Sequence, residues 1–218
     1  MGPDITIYGR VTSSNVQAVM WGAAELGIAV NRLDYGHIFG GTDTPEFLTM
    51  NPFGRVPVLK DGDLTVFESC AILRYLSERY GDGGAFWPGD PAQRATVDQW
   101  AEWGKVTLAL SFTVPIFWSV VRTSAKDRDA AALARAIDAF HDHLRYLEAQ
   151  LHDRSYVMGE ELTLADIVIG HVLYRYFDIR IDRADLPNVS EYYKRLTDRA
   201  AYREHVMVSY DVLRVPGA

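Results

Sequence analysis

The stretch GDGGAFWPGDP at residues 81–91 constrains the fold more than any other segment. Its glycines and prolines interrupt regular structure, and the hydrophobic rhythm differs on its two sides. Before it, the period of the apolar residues changes repeatedly, as in a domain that mixes strands and helices. After it, apolar residues recur at steps of three and four, the spacing that lines one face of a helix. The chain therefore reads as two domains, α/β followed by all-α, divided near residue 85 into 1–84 and 85–218.

In the first domain, ITIYG alternates like a short strand, and Val16, Val19, Met20, Ala23 and Ala24 share one helical face that Gly27 closes. AVNRLDY at 29–35 reads as a second strand, and GHIFGGTDTPEFLTMNPFG as an irregular connection. VPVLKDGDLTVFE supplies two strands around Asp61-Gly62, a hairpin signal, and Ile72, Leu76 and Tyr80 mark a third helix. The expected order is β-α-β-loop-β-β-α. In the second domain Leu133, Ile137, Phe140, Leu144, Leu147 and Leu151 line one face of a long helix. Thr163 three residues before Asp166 opens another with a capping pattern. Pro115 is expected to end or kink the helix through Trp100 and Leu108, since it lacks a backbone donor.

Composition excludes several classes of function. The 218 residues are 48% hydrophobic, enough for packed cores, and 22 Lys plus Arg against 29 Asp plus Glu give a formal charge of −7. With no basic block, nucleic acid is a poor partner. MGPDITIYGR lacks the apolar core of a signal peptide, and no apolar run reaches the ~18 residues of a membrane span. The single cysteine, Cys70, precludes an internal disulfide or a multi-cysteine metal site, and a reducing cytoplasm is the expected compartment. His141 and His143, two apart on a helix, point in nearly opposite directions, so no metal is expected.

Four motifs in order carry a resemblance: the mixed first domain, VPVL…ESCAIL, then LTLADI, then LPNVSEYYKRLTDRAAY. Together they resemble the cytosolic glutathione S-transferases over essentially the whole chain. GRVTSSNVQAVMWGAAELG is similar to a bacterial, theta-like branch in which a hydroxyl residue after the first strand serves the thiol. The resemblance implies a thioredoxin-like N-terminal domain that binds glutathione and a helical-bundle domain that binds a hydrophobic electrophile. It implies a homodimer, no bound cofactor or metal, and glutathione itself as co-substrate.

Residue by residue, the resemblance assigns Glu68 to the γ-glutamyl ammonium. Ser69 and the start of the third helix go to its carboxylate, because backbone N–H groups and the helix dipole favour an anion there. It makes Pro57 cis, so that Val56 presents its backbone to the cysteinyl unit. Arg55 lies near the glycyl carboxylate, where relatives often use the preceding position, here Gly54. Lowering a thiol pKa from ~8.5 to ~6.5 takes about 2.7 kcal/mol, and one hydrogen bond to a charged acceptor gives about 1.5–3. Thr12, Ser13, Ser14 and Asn15 are the candidates for that donor; the theta-like resemblance, counted back from Gly27, implies Ser13, with Asn15 second, although an Asn there is also an ordinary helix N-cap.

Trp103, Phe112, Trp118 and Tyr174 are candidates for the electrophile pocket. Cys70 in the first turn of a helix offers a disulfide-exchange mechanism, but a lone helical Cys facing a sheet usually serves as a small apolar residue. A glutathione-dependent oxidoreductase or dehalogenase and a non-catalytic adaptor are the alternative functions; an adaptor has no need of Val56, Pro57, Glu68 and Ser69 together.

Overall fold

The computed structural model describes residues 5–218. Its first half runs β1 (Ile5–Tyr8), α1 (Ser14–Glu25), β2 (Asn31–Leu33), α2 (Pro45–Met50), β3 (Val58–Asp61), β4 (Leu64–Phe67) and α3 (Ser69–Tyr80). The strands form one mixed sheet in the order β2-β1-β3-β4. β1 pairs parallel to β2 and antiparallel to β3, with Tyr8 opposite both Leu33 and Val58. Gly62, at φ 56°, turns the hairpin that sets Asp61 opposite Leu64. Ile5, Ile7, Val58 and Leu59 are buried in the sheet, and Val16, Val19, Ile72, Leu73 and Leu76 are buried in the helices that cover it.

The second half holds α4 (Pro91–Val121), α5 (Ala130–Gln150), α6 (Leu164–Gly170), α7 (Leu173–Asp178), α8 (Pro187–Thr197) and α9 (Ala200–His205). α6 lies at the centre with every residue buried. Asp166, fully buried, fixes its start by accepting from Thr163 N at 2.7 Å, Thr163 Oγ1 at 2.9 Å, Val157 N at 2.9 Å and Tyr192 OH at 3.0 Å. The two halves are tied by Arg199, which grips Glu25 of α1 through Nε at 2.7 Å and Nη2 at 2.5 Å, while Trp21 donates to the same carboxylate.

Three expectations need correction. The connection at residues 36–54 is not wholly irregular: Thr44 Oγ1 accepts from Phe47 N at 3.2 Å, Pro45 occupies the first helical turn, and α2 buries Phe47. Pro115 does not end its helix. α4 continues to Val121 through two π-helical segments, Gly104–Ala109 and Thr113–Trp118, and the second absorbs the missing N–H in a wider turn. Finally, α4 is long and apolar enough to cross a membrane by length and composition, contrary to the reading of its sequence. Its buried face packs on α6, with Ala101, Leu108, Ile116 and Phe117 fully buried. Between Gly104 and Val121 the one charged residue is Lys105.

Candidate functional site

Three backbone features converge on one groove. The first is an uncovered edge. The Val56–Pro57 peptide bond is cis, as the resemblance implied, and ladder pairing of β3 begins only at Val58. Among the described residues no backbone hydrogen bond uses the N–H or C=O of Val56, so both are free for an extended ligand. The side chain of Asn51 holds the approach in place, donating Nδ2 to Arg55 O at 2.7 Å and accepting from Phe53 N at 3.1 Å. Gly54 is required in that turn, since at φ 61° a Cβ would meet Thr42 O at 3.0 Å.

The second feature is the amino end of α1. Ser13 is the N-cap residue, and its side chain makes no capping bond, so the hydroxyl remains available. Asn15 is therefore not the N-cap; it lies in the first turn, with Oδ1 turned toward α4. The third is the amino end of α3, where Glu68 is exposed and held at φ 70°, ψ 120°. A non-glycine residue there costs about 1–3 kcal/mol and persists only because the surrounding structure holds it. Ser69, 3% exposed, follows as the first residue of the helix.

Lys105 joins the second and third features, and sequence reasoning missed it. Its Nζ donates to Asn15 Oδ1 at 2.8 Å and to Ser69 Oγ at 3.0 Å, so these two side chains lie within about 6 Å of each other. The first π segment of α4 shifts the phase of the helix at this residue. Gly104 lets α4 approach α6, where an added Cβ would come 2.7 Å from Ile169. Among the described residues no carboxylate lies within 4.0 Å of Lys105. Two positive helix ends and an ammonium thus face one space, with no carboxylate of the described residues within 4.0 Å of the ammonium.

The same charge acts on two buried neighbours. Burial pushes the Cys70 thiol up, against an opposing pull from Lys105 and Arg74. A buried thiol raised in this way is a poor nucleophile, and Cys70 is a packing residue. Burial, with Lys105 next, holds His171 down to about 3; its Nδ1 lies 2.7 Å from Val168 O, and the ring is neutral.

The expected pocket residues do not gather in one place. Phe112 is 1% exposed, its ring packed on Phe117, Phe140 and Tyr176, so it belongs to the core. Trp103 stands two residues before Lys105 on α4 and so points to the opposite side; it packs on Trp100 and borders a shallow groove with Gln99 and Tyr146. Trp118 is exposed beneath the Arg122 guanidinium, 4.6 Å from its ring. Tyr174 is half-buried edge-on to Tyr210. Arg55 is exposed, and only its backbone C=O is engaged, by Asn51. Tyr8 makes an edge-on contact with Tyr35.

The described architecture is a sheet domain with a free cis-proline edge, joined to a helical domain that sends one cation between two helix ends. Comparison with known proteins is more specific. Residues 3–78 match the family "Glutathione S-transferase, N-terminal domain" and residues 130–195 match "Glutathione S-transferase, C-terminal domain". Glutathione S-transferase GstB of Escherichia coli is 34% identical over 206 residues, covering 94% of this chain and 98% of the relative. The crystal structure of the theta class glutathione S-transferase from Xanthomonas axonopodis pv. citri with glutathione bound is 40% identical, with a TM-score of 0.89 over 95% of this chain and 99% of that one. Glutathione transferase BmGSTD1 of Bombyx mori is 28% identical with a TM-score of 0.86, over 98% of each chain. The chain belongs to the glutathione S-transferase family.

Proposed function

We propose that this protein conjugates the thiolate of glutathione to a small hydrophobic electrophile. Residues 1–84 hold the tripeptide and residues 85–218 the electrophile. The single observation that carries this is the Lys105 bridge, which brings the amino ends of α1 and α3 within reach of one ligand. The cysteinyl unit pairs with Val56 beside cis Pro57. The γ-glutamyl carboxylate sits on the N–H groups at Ser69 with the Lys105 ammonium beside it, and the ammonium of the ligand faces Glu68. Ser13 donates to the sulfur, with Asn15 as the second donor; Arg55 flanks the glycyl end. Trp118 and Tyr174 stand at the electrophile side. Holding the thiolate against its acceptor supplies most of the acceleration, since no other group is needed to form the new bond.

No resident cofactor takes part in this reading, and the burial of Cys70 disfavours disulfide exchange through the protein's own thiol. The protein acts as a cytoplasmic homodimer in detoxification. Val106, Leu110 and Val114, each more than half exposed at steps of four along α4, support association, as does Phe53 at 67% exposure. Calorimetric titration with glutathione tests the site: binding in the parent, and at least a tenfold loss in the Glu68→Ala, Ser69→Ala double variant, are expected. Equal affinity in the two proteins would defeat the assignment.

A further inference from the structure

Three guanidinium groups crowd the loop between β1 and α1, and among the described residues none has a carboxylate within 4.0 Å. Arg175 of α7 is 4% exposed; it donates Nη2 to Thr12 O at 2.8 Å and lies over the Phe117 ring at 4.5 Å. Arg10, half-buried, reaches Gly36, where an added Cβ would sit 3.3 Å from its Nη1. Arg122, just past the end of α4, stacks over Trp118 at 4.6 Å. Arg10 Nε, Arg175 Nε and Gln17 Nε2 are all buried without a hydrogen-bond partner.

The charges press on one another. Burial and then Arg122 hold Arg10 below the usual guanidinium range, and burial holds Arg175 down to about 10, with Arg10 adding to the effect. His37 is lowered by burial, then by Arg10 and Arg122. Acidic residues outnumber basic ones along the chain, yet among the described residues none comes within 4.0 Å of these three. Partly buried like charges without a counterion are unfavourable unless a ligand supplies the anion.

We propose that Arg10 and Arg122, backed by Arg175, bind a carboxylate carried by the electrophile, so that the preferred second substrate is an anionic rather than a plain hydrophobic acceptor. The inference rests on the function proposed above and names its substrate class. A carboxylate could also come from the glycyl end of glutathione. The electrophile is favoured because Arg122 and Arg175 belong to the helical domain and Arg175 holds Thr12, the residue before Ser13.

The test compares 4-chloro-3,5-dinitrobenzoate with 4-chloro-3,5-dinitrobenzamide. In each, the thiolate sulfur forms a bond to the carbon bearing chlorine, chloride leaves with the bonding pair, and the thiol proton passes to solvent. After correction for the uncatalysed rates, the parent should favour the benzoate at least tenfold in kcat/KM. Arg122→Gln and Arg10→Gln should each lower the benzoate value about tenfold more than the amide value, and Arg122→Lys should keep most of the preference. No preference in the parent overturns the proposal. So does a variant that leaves the preference intact and raises the KM for glutathione, which would assign the arginines to the glycyl carboxylate. A parent that binds no glutathione overturns the underlying function and this assignment with it, whereas binding and amide turnover without preference overturn the assignment alone.

Discussion

Replacing Lys105 with methionine keeps the length of the side chain and removes its charge. A sulfur that accepts a hydrogen bond from Asn15 lies one further bond away from the ammonium, about 6 Å in all. At an effective dielectric of about 40, between bulk water and a protein surface, a unit charge at that distance favours the thiolate by about 1.4 kcal/mol, or about one pKa unit. A cation stabilises the charged form of a thiol, so its removal raises the thiol pKa. The limb of the kcat/KM profile that rises with pH should therefore move up by about one unit. Activity should fall about tenfold well below the parent's pKa and recover at pH values above the variant's. Affinity for glutathione should also weaken, because the γ-glutamyl carboxylate loses its nearest cation, and Lys105→Arg should restore most of both effects. The profile is read by steady-state rates with an activated aryl halide between about pH 6 and 9. A limb displaced by less than a third of that unit, with an unchanged KM for glutathione, would refute the placement of Lys105 beside the ligand.

Ser13→Ala should lower kcat by about ten- to a hundredfold and raise the pKa of bound glutathione, in keeping with about 1.5–3 kcal/mol for a charge-assisted hydrogen bond; absorbance titration of the bound thiolate measures it. If Ser13→Ala titrates as the parent does and Asn15→Ala does not, the donor is Asn15. Asp166→Ala should destabilise the fold by about 3–5 kcal/mol in urea unfolding, since it strands four buried donors at once. His171 is held to about 3, below the value near 6.5 that it has when unfolded, so its neutral form is the folded one. Stability from this group is whole above about pH 6.5 and is lost as pH falls toward 3, by about 1.4 kcal/mol per unit; between pH 6.5 and 5 the unfolding free energy of His171→Leu should fall by about 2 kcal/mol less than that of the parent.

Much of this was legible in the sequence because local signals agreed with the fold. The alternation of ITIY, the Gly27 stop, the Asp61-Gly62 turn and the Thr163–Asp166 pair each specify their element through backbone chemistry within a few residues. α2 carried such a signal as well, Thr44-Pro45 at its start, but the surrounding glycines masked it. What could not be read depends on long-range geometry. The role of Lys105 follows from the phase shift of a π segment and from contacts 36 and 90 residues away in the chain. Phe112 and Trp103 were misplaced for the same reason, since an aromatic concentration does not reveal which residues face the core. The arginine cluster likewise joins residue 10 to residues 122 and 175 only after folding.

The structure of the complex with glutathione tests the central claim most directly. The cysteinyl unit is expected against the free backbone of Val56, the γ-glutamyl carboxylate at Ser69 beside Lys105, and the sulfur within about 3.5 Å of Ser13 or Asn15. A tripeptide bound elsewhere, or a groove that stays empty at saturating glutathione with Lys105 still bridging Asn15 and Ser69, would contradict it.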